Sequence, residues 1–281
     1  MTAATPVLDL NLQVSRAKEF QALHQRAPLV LPNAWDAGTA LLIEKEGAKA
    51  IATTSAGRSW SLGVPDGNGL NREQAIDLIR EVAGIANVPV TADIETGYGN
   101  TLEELKSSIT DVLLAGTVGV NLEDSGQHPL YSPEEMAARI RAAREAADAY
   151  GVPLFINART DVYLAHVGEE SGRLADAINR AKIYTDAGAN GIFIPGILDL
   201  DVLRKLSAAI ELPINVILQP DGPTVSELVD AGITRISVGS AIVRAIYAHV
   251  QHAAHELLTT GTCTTLADTI SHGAVNAMFK Q

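Results

Sequence analysis

Short β-branched segments alternate with longer amphipathic segments from about residue 29 onward, and few folds are compatible with so regular an alternation. Each pair of segments is typical of a βα unit, which builds a parallel sheet with helices on its faces. There are eight strand candidates, which end at Trp35, Ser55, Glu95, Asp124, Thr160, Gly196, Leu218 and Gly239. Helical segments between them are predicted at Arg72–Ile85, Leu102–Ala115, Pro133–Tyr150 and Arg173–Ala187.

A glycine recurs between a helical segment and the next strand, in EGAKAI, LAGTVGV, DAGANGI and DAGITRI. Glycine ends a helix in the left-handed conformation without steric cost, so the repetition indicates one turn used several times. Eight repeated units favour a closed (β/α)₈ TIM barrel of the α/β class. An open doubly wound sheet alternates in the same way and is the alternative.

The pattern predicts a single domain over residues 1–281, with the barrel at about 29–250. An extra helix is expected at 9–26, and residues 251–281 are expected to form a C-terminal helical extension. A lone barrel would cover the apolar side chains of this extension poorly, so we expect it to pack on a neighbouring subunit of a homo-oligomer. These side chains include Leu257, Leu258, Leu266, Ile270, Val275, Met278 and Phe279.

Composition excludes several classes of protein. Apolar residues make up 47% and charged residues 19% of the chain, which is unlike a disordered protein. The formal charge is −12, and no run of Lys or Arg could follow a phosphate backbone, so nucleic acid is not expected as a partner. The single cysteine, Cys263, fits a reducing compartment, and no apolar stretch is long enough to cross a membrane. We therefore expect a cytoplasmic protein.

Acidic residues stand at the ends of neighbouring strand candidates, namely Asp93 and Glu95 in TADIETGYGN and Glu123 in NLED. Residues two apart on a strand point the same way, so Asp93 and Glu95 are predicted to face the barrel mouth together. Two such charges at about 4 Å repel by about 4 kcal/mol at an effective dielectric of 20, and a cation removes that cost. Oxygen ligands without Cys or a His pair suggest Mg²⁺, with Mn²⁺ as a second choice.

We expect Asp93 to bind the ion directly and Glu95 and Glu123 to act through water. The alternative is that these acids pair with Lys or Arg, or cap the helices that follow them. The glycines of TGYGN favour the metal interpretation, because they let the backbone turn sharply beside the ion.

Two further segments point to a carboxylate ligand. Arg159 ends a strand in INARTD, where a buried guanidinium needs an anion, either a substrate carboxylate or an ion pair with Asp161 or Glu123. The segment TTSAGRSWSLGVPDGNG offers backbone N–H groups and hydroxyls that could hold a carboxylate, and it brings Asp66 back toward the same mouth. A plain surface turn at P-D-G is the other interpretation.

Taken together, these segments resemble the isocitrate lyase and phosphoenolpyruvate mutase superfamily, from about Pro32 to Ile246. SAGRSWSLGVPD is similar to the family's substrate loop and its catalytic aspartate, here Asp66. ADIETGYGN resembles the family's D-x-D-TGYGN metal motif, with its second acid enlarged to Glu95. VNLED and NARTD resemble the strands that carry a metal-sphere glutamate, Glu123, and a substrate arginine, Arg159.

The resemblance also implies that Thr54, Ser55 and Ala56 hold a substrate carboxylate and that Trp35 packs over the bound acid. It implies an α-oxo or α-hydroxy carboxylate held on Mg²⁺, an enolate stabilised by the ion, and a tetramer with the C-terminal helix packed on a neighbour. The expected function is therefore that of a carbon–carbon lyase or decarboxylase. The reaction would be oxaloacetate-type decarboxylation or (methyl)isocitrate-type cleavage.

The chain departs from the family at its lid. The family's lyases carry a cysteine there in K-[KR]-C-G-H, whereas this chain reads SGQHPLYSPEE after Asp124, and Cys263 is far away along the chain. The mutase's lid lysine and asparagine are missing too, and its later histidine is replaced by Pro195, which argues against phosphonate rearrangement. His128 and Tyr131 are candidate proton carriers in the altered lid, and exposed loop residues are the alternative.

Three other hypotheses compete with this one. The altered lid permits a keto-acid-binding homologue without turnover, and the family permits phosphonomutase-type P–C chemistry. A Schiff-base aldolase would need a lysine at a strand end, and none of the eight endings has one.

His249, His252 and His255 have near-helical spacing like a metal stripe, but we expect ordinary surface or interface residues on the terminal helix.

Overall fold

A computed structural model describes residues 9–26, 28–67, 69–126 and 129–279, so His128 lies outside the described residues. One sheet contains nine parallel strands in the order β1-β9-β8-β7-β6-β5-β4-β3-β2. The strands are β1 (Leu29–Leu31), β2 (Asn33–Ala34), β3 (Ile51–Thr53), β4 (Val90–Asp93), β5 (Gly119–Glu123), β6 (Phe155–Arg159), β7 (Gly191–Phe193), β8 (Ile214–Ile217) and β9 (Arg235–Ser237).

The first two strands close the barrel. β1 and β2 are separated only by Pro32, whose missing N–H interrupts the ladder. β1 pairs in parallel with β9 at one side, and β2 pairs in parallel with β3 at the other. Together they fill one strand position, which makes eight positions around a (β/α)₈ TIM barrel and confirms the predicted fold class.

Helices surround the sheet: α1 (Leu10–Leu23), α2 (Ala37–Lys45), α3 (Ser55–Ser61), α4 (Arg72–Ile85), α5 (Leu102–Leu114), α6 (Pro133–Tyr150), α7 (Glu170–Asp186), α8 (Leu200–Ala209), α9 (Val225–Asp230), α10 (Ala241–Thr259) and α11 (His272–Met278). The four predicted helices are present, although α7 begins before Arg173. The repeated glycines at 47, 116, 188 and 232 have φ between 87° and 103°, so they end helices in the left-handed conformation as predicted.

The segment after β3, which was expected either to hold a carboxylate or to form a plain surface turn, begins with a helix. Residues Ser55–Ser61 form α3, a short helix that begins directly after the strand. The Thr54 hydroxyl accepts a hydrogen bond from the Gly57 N–H and caps this helix. The helix forms because Thr54 is an effective N-cap and because Gly57 lets it approach Trp35, whose Cβ would lie 2.7 Å from any Cβ at that position.

Helix α1 is tied to the barrel interior by a buried arginine. Arg235, at 1% exposure, donates to Asn215 and Asn121 and contacts the Nε2 of His24 at 3.1 Å. Phe20 and Phe155 each lie 5.5 Å from its guanidinium carbon. Burial lowers the pKa of Arg235 to about 9.

The C-terminal helices cover little of the barrel. Only Val243 and Ala253 are buried among the residues of α10, whereas Val250 and Leu258 are 58% and 86% exposed. None of the described helices is both long enough and apolar enough to cross a membrane. The surplus helical material predicted at the C-terminus is therefore present, and most of its apolar side chains are exposed, although Met278 is buried and Val275 is partly buried.

Candidate active site

A polar pocket of about 550 Å³ opens at the carboxyl ends of the strands. Four of the residues that line it had been singled out as catalytic or metal-binding, namely Asp66, Glu95, Glu123 and Arg159. The remaining lining residues are Ser55, Gly67, Thr96, Asn100, Ser125, Gly126, Tyr131 and Asp161. The fold therefore gathers loops after β3, β4, β5 and β6 around one cavity, where barrel enzymes carry their active sites.

Asp93 ends β4 beside this pocket and is held by the start of α3. Its Oδ2 accepts hydrogen bonds from the Ser55 hydroxyl at 2.8 Å and from the Ser55 N–H at 3.4 Å. Its backbone N–H donates to the Thr53 hydroxyl at 3.0 Å. The second carboxylate oxygen, Oδ1, is buried and has no hydrogen-bond partner among the residues that the structure describes.

Glu95 reaches the pocket by a route that strand alternation did not predict. β4 ends at Asp93, so Glu95 belongs to the following turn, and its backbone is left-handed with φ +48°. Tyr98 in the same turn has φ +53°. Non-glycine residues rarely adopt this conformation, which is typical of strained turns at functional sites. The two acids thus lie at one rim, but the period-2 argument for their direction was wrong.

Glu123 ends β5 and pairs with the neighbouring strand. Its Oε2 lies 2.8 Å from Nη1 of Arg159, and its Oε1 accepts a hydrogen bond from the Ser125 hydroxyl. Burial raises the pKa of Glu123 to about 7; the nearby Arg159 guanidinium opposes that shift, and the Asp93 carboxylate adds to it. Burial thus makes the Glu123 carboxyl harder to ionise, and its ion pair with Arg159 opposes that effect.

Arg159 makes both of the ion pairs that the sequence left open. Besides Glu123, it donates through Nε and Nη2 to the two oxygens of Asp161, at 2.6 Å and 2.9 Å. Burial alone would lower the pKa of Arg159, but Glu123 and Asp161 outweigh it and the net shift is upward. Asp161 was not among the predicted site residues, although its place two residues after Arg159 in NARTD was a usable signal.

Asp66 returns to the pocket as expected. Burial is the first cause that raises the pKa of its carboxyl, and the Asp93 carboxylate adds to it, whereas a hydrogen bond from Ser55 opposes the shift. Ser55 thus contacts both Asp66 and Asp93. Three other predicted residues are close by but do not line the pocket, because Thr54 caps α3, Ala56 is buried inside it and Trp35 packs on it.

A buried polar cluster behind the pocket was not found from the sequence. Asp124 is fully buried; its Oδ2 accepts from Arg180 at 3.0 Å and from the Tyr184 hydroxyl at 2.7 Å. Its Oδ1 accepts from the backbone N–H of Asp161 at 3.0 Å. The cluster joins the ends of β5 and β6 to α7, and its members are too far apart in the chain for a local pattern to reveal them.

The donor set fits a hard divalent cation bound largely through water. Among the described residues no group of three Asp, Glu, His or Cys side chains would hold an ion by itself. Mg²⁺ commonly takes one or two protein carboxylates and keeps several waters. The orphaned Oδ1 of Asp93 is the kind of oxygen that a direct ligand presents, and Glu95 and Glu123 line the adjoining cavity.

A polar, acidic pocket at the carboxyl ends of a closed parallel barrel defines the class of (β/α)₈-barrel enzymes. The sequence profile of the phosphoenolpyruvate phosphomutase family matches residues 20–258. The chain belongs to this family, within the isocitrate lyase and phosphoenolpyruvate mutase superfamily, whose members are lyases, mutases and hydrolases.

Two relatives illustrate the range of the family. An uncharacterised protein of Mycobacterium tuberculosis is 37% identical over 231 residues, which cover 82% of this chain and 85% of that protein. The 2-methylisocitrate lyase of Escherichia coli K12 is 30% identical over 272 residues, which cover 91% of this chain and 89% of the lyase.

Solved structures share the fold. A candidate lyase/mutase from Burkholderia cenocepacia J2315 superposes with a TM-score of 0.89 at 35% identity, covering 96% of this chain and 98% of its own. A phosphonopyruvate hydrolase, crystallised with oxalate and Mg²⁺, superposes with a TM-score of 0.81 over 94% of each chain. It is 21% identical to this chain, so that likeness concerns the fold alone.

Proposed function

We propose that the protein is a divalent-cation-dependent enzyme that breaks a carbon–carbon bond in a small 2-oxo or 2-hydroxy carboxylate. The observation that carries this proposal is the juxtaposition, in one small polar pocket, of Arg159 with Glu95, Glu123 and Asp66 beside the unpartnered oxygen of Asp93. Oxaloacetate-type decarboxylation and (methyl)isocitrate-type cleavage are the two reactions that suit such a pocket.

Arg159 is the group that we assign to the substrate carboxylate. Asp161 holds two of its N–H groups and so fixes the plane of the guanidinium. The remaining contact, from Nη1 to Glu123, is the one that a substrate carboxylate would share or replace. Ser55 and the start of α3 bound the same cavity, while Thr54, Ala56 and Trp35 support that segment from behind.

Asp93 is the proposed direct ligand of the cation, with Glu95 and Glu123 holding its waters, and Mg²⁺ is the favoured ion over Mn²⁺. When bound, such an ion supplies Lewis-acid stabilisation of the negative charge that forms on the substrate oxygen during bond cleavage.

Asp66 is the proposed catalytic carboxylate for a 2-hydroxy substrate. It lines the pocket and its pKa is raised by burial, which makes its carboxylate a stronger base than an exposed one. With a hydroxy acid bound, Asp66 would take the hydroxyl proton as the carbon–carbon bond breaks. With a 2-oxo acid that proton transfer is not needed, and Asp66 would instead act through its charge.

A substrate panel tests the proposal. Oxaloacetate, isocitrate, 2-methylisocitrate, malate derivatives and phosphoenolpyruvate are each incubated with the protein in Mg²⁺, Mn²⁺ or EDTA. We expect cation-dependent cleavage of one of the first four, with EDTA abolishing it and Arg159→Lys raising KM, since lysine cannot reproduce the guanidinium fork. The exposed Arg204→Lys serves as the matched control.

Three results would contradict the proposal. Consumption of phosphoenolpyruvate alone would indicate P–C chemistry instead. An acid that stabilises the protein thermally with metal but stays intact for hours would indicate a binding protein without turnover. Cleavage that is equally fast in EDTA would show that the reaction does not need a divalent cation.

We further propose that the chain, as one domain, works in the cytoplasm as a homo-oligomer, a tetramer by family resemblance. The exposed apolar side chains of α10, Val250 and Leu258 among them, support this proposal. An apolar groove of about 880 Å³ beside β1, lined by Leu23, Val30 and Leu42 among others, supports it too. A helix from a second copy would cover both surfaces.

A further inference from the structure

Tyr131 lies at the edge of the pocket on the loop that follows β5, and its backbone is held on both sides. Its N–H donates to the carbonyl of Asp124 at 2.7 Å. Its own carbonyl accepts a hydrogen bond from Nη1 of Arg180 at 2.9 Å. Arg180 also pairs with the fully buried carboxylate of Asp124. The two residues that hold the N–H and the carbonyl of Tyr131 are therefore joined to each other by a buried ion pair.

The ring of Tyr131 is positioned by a second buried arginine. The guanidinium carbon of Arg139 lies 5.0 Å from the ring centroid, in a cation–π contact. Arg139, at 4% exposure, also donates to the carbonyls of Thr96 and Gly99 in the turn after β4. Arg139 therefore fixes the position of the Tyr131 ring relative to the turn that carries Glu95. A freely moving loop residue would not have such a fixed position.

The loop itself is compact. Ser125 and Leu130 form an antiparallel bridge, which folds the loop back on itself. A Cβ at Gly126 would stand 3.4 Å from the ring carbons of Tyr131, so the phenol lies directly against the backbone there. Among the described loop residues, 125–126 and 129–131, two carry a hydroxyl, and that of Ser125 donates to Glu123. The Tyr131 hydroxyl makes no hydrogen bond to a described residue.

We propose that Tyr131 is a catalytic residue that gives a proton to the substrate carbon after its bond has broken. This inference rests on the function proposed above. For oxaloacetate, the C3–C4 bond breaks and the C4 carboxylate leaves as CO2. The electron pair of that bond forms the enolate of pyruvate. The enolate then takes the phenolic proton of Tyr131 at C3 and becomes the ketone. Water returns a proton to the phenolate, so no oxidant or co-reactant is needed.

The test separates cleavage from protonation. Wild type and Tyr131→Phe are given oxaloacetate with Mg²⁺, and CO2 release and keto-pyruvate formation are recorded together after subtraction of the uncatalysed rate. We expect wild type to release both at the same rate. In Tyr131→Phe the ring and its arginine contact remain, so KM should stay within about twofold, whereas ketone formation on the enzyme should fall by about 100-fold.

In Tyr131→Phe we expect ketone formation to lag behind CO2 release. When the proton donor is missing, enolpyruvate leaves the pocket and ketonises in solution, so CO2 release runs ahead of ketone formation. Tyr150→Phe, at the far end of α6, is the matched control and should show neither change. His128→Asn tests the other candidate in the same loop and should keep CO2 and ketone synchronous. Unfolding temperatures of all three variants close to that of wild type would establish that the fold is intact.

Two results would overturn the assignment alone: a Tyr131→Phe protein as fast as wild type with no lag, or a lag that appears in His128→Asn instead. A wild-type protein that leaves oxaloacetate intact would overturn the assignment together with the decarboxylation on which it rests. The two failures are therefore distinguishable by the wild-type rate.

Discussion

At the scale of single residues, the pocket concentrates charge that the chain only partly neutralises. Arg159 faces both Glu123 and Asp161, while Asp93 has a hydroxyl and an N–H on one oxygen and none from a described residue on the other. Buried polar oxygens normally have a partner, so the free side of Asp93 is a cost that a bound ligand would remove. We therefore expect Asp93 to lower the stability of the ligand-free protein and to contribute to the binding of a ligand.

Asp93→Asn should abolish the thermal stabilisation given by Mg²⁺ or Mn²⁺, because the amide removes the charge that the cation needs. In EDTA the variant should be as stable as wild type or more so, since repulsion from the neighbouring acids is relieved. Differential scanning fluorimetry with and without metal measures both effects. Asp77→Asn, an exposed acid of α4 paired with Arg80, is the control and should keep the full metal response. An undiminished response in Asp93→Asn would refute the ligand assignment.

Gly99 in the TGYGN turn leaves no room for a side chain. A Cβ there would stand 2.6 Å from the backbone nitrogen of Leu105 and 2.7 Å from the carbonyl carbon of Glu104. Gly99→Ala should therefore push the turn away from the start of α5 and destabilise the protein by about 1–3 kcal/mol. Urea unfolding measures this loss. Gly172→Ala in α7, with open space at its Cβ, should be neutral or stabilising, and equal effects of the two substitutions would contradict the packing argument.

At the scale of elements, α1 is more than a flanking helix. The Nδ1 of His24 lies 2.7 Å from the carbonyl of Phe20 in the same helix, which leaves Nε2 as the acceptor for Arg235. The imidazole also stacks on Phe155, with ring centroids 3.9 Å apart. One neutral histidine therefore joins α1 to strands β6 and β9 inside the barrel.

The pH dependence of stability should report this contact. Burial lowers the pKa of His24 to about 3, and the Arg235 charge adds to the shift, compared with 6.5 for the unfolded chain. As pH falls from 6.5 toward 3 the unfolded chain takes a proton that the folded chain refuses, so the free energy of unfolding falls by up to about 1.4 kcal/mol per pH unit. His24→Asn should remove this part of the slope, although it lowers stability at neutral pH.

Chemical denaturation between pH 7 and 4 measures that slope. His249→Asn, an exposed histidine of α10, provides the comparison and should leave the wild-type slope unchanged. A His24→Asn protein with the same slope as wild type would mean that the histidine is not held neutral in the fold.

At the scale of the whole molecule, the barrel is complete but its C-terminal helix is not covered. Helix α10 carries Ile246, Val250 and Leu257 at 46%, 58% and 49% exposure. A monomer with so much apolar surface on one helix would be unusual. The apolar groove beside β1 is the surface that we propose receives this helix from a second copy.

Light scattering coupled to gel filtration should therefore give a mass of at least two chains. Val250→Glu and Leu258→Glu should shift the protein toward the monomer, because a charge on the apolar face must be desolvated for the subunits to meet. Gln251→Glu adds the same charge at an exposed polar position of α10 and should leave the mass unchanged. A monomeric wild-type protein would exclude this arrangement.

Most of the fold could be predicted because local patterns encode it. The order of the strands, the boundaries of α4 and α6 and the left-handed glycines follow from hydrophobic period and backbone sterics, which involve residues close together in the chain. The predicted strand ends lie one to three residues beyond the observed ones. The family resemblance likewise depends on short motifs, and the family match confirms it. The presence of four predicted residues around one pocket follows from parallel strands ending at one rim.

The sequence did not determine which charged side chains meet. Arg180 and Asp124 are 56 residues apart, and Arg235 and His24 are 211 apart, yet both pairs are in contact inside the molecule. Glu123 was predicted as a metal-sphere acid, but its neighbour in the adjacent strand is Arg159. Such pairings depend on which strands become neighbours and on how burial selects side-chain partners, and those conditions exist only once the barrel has closed.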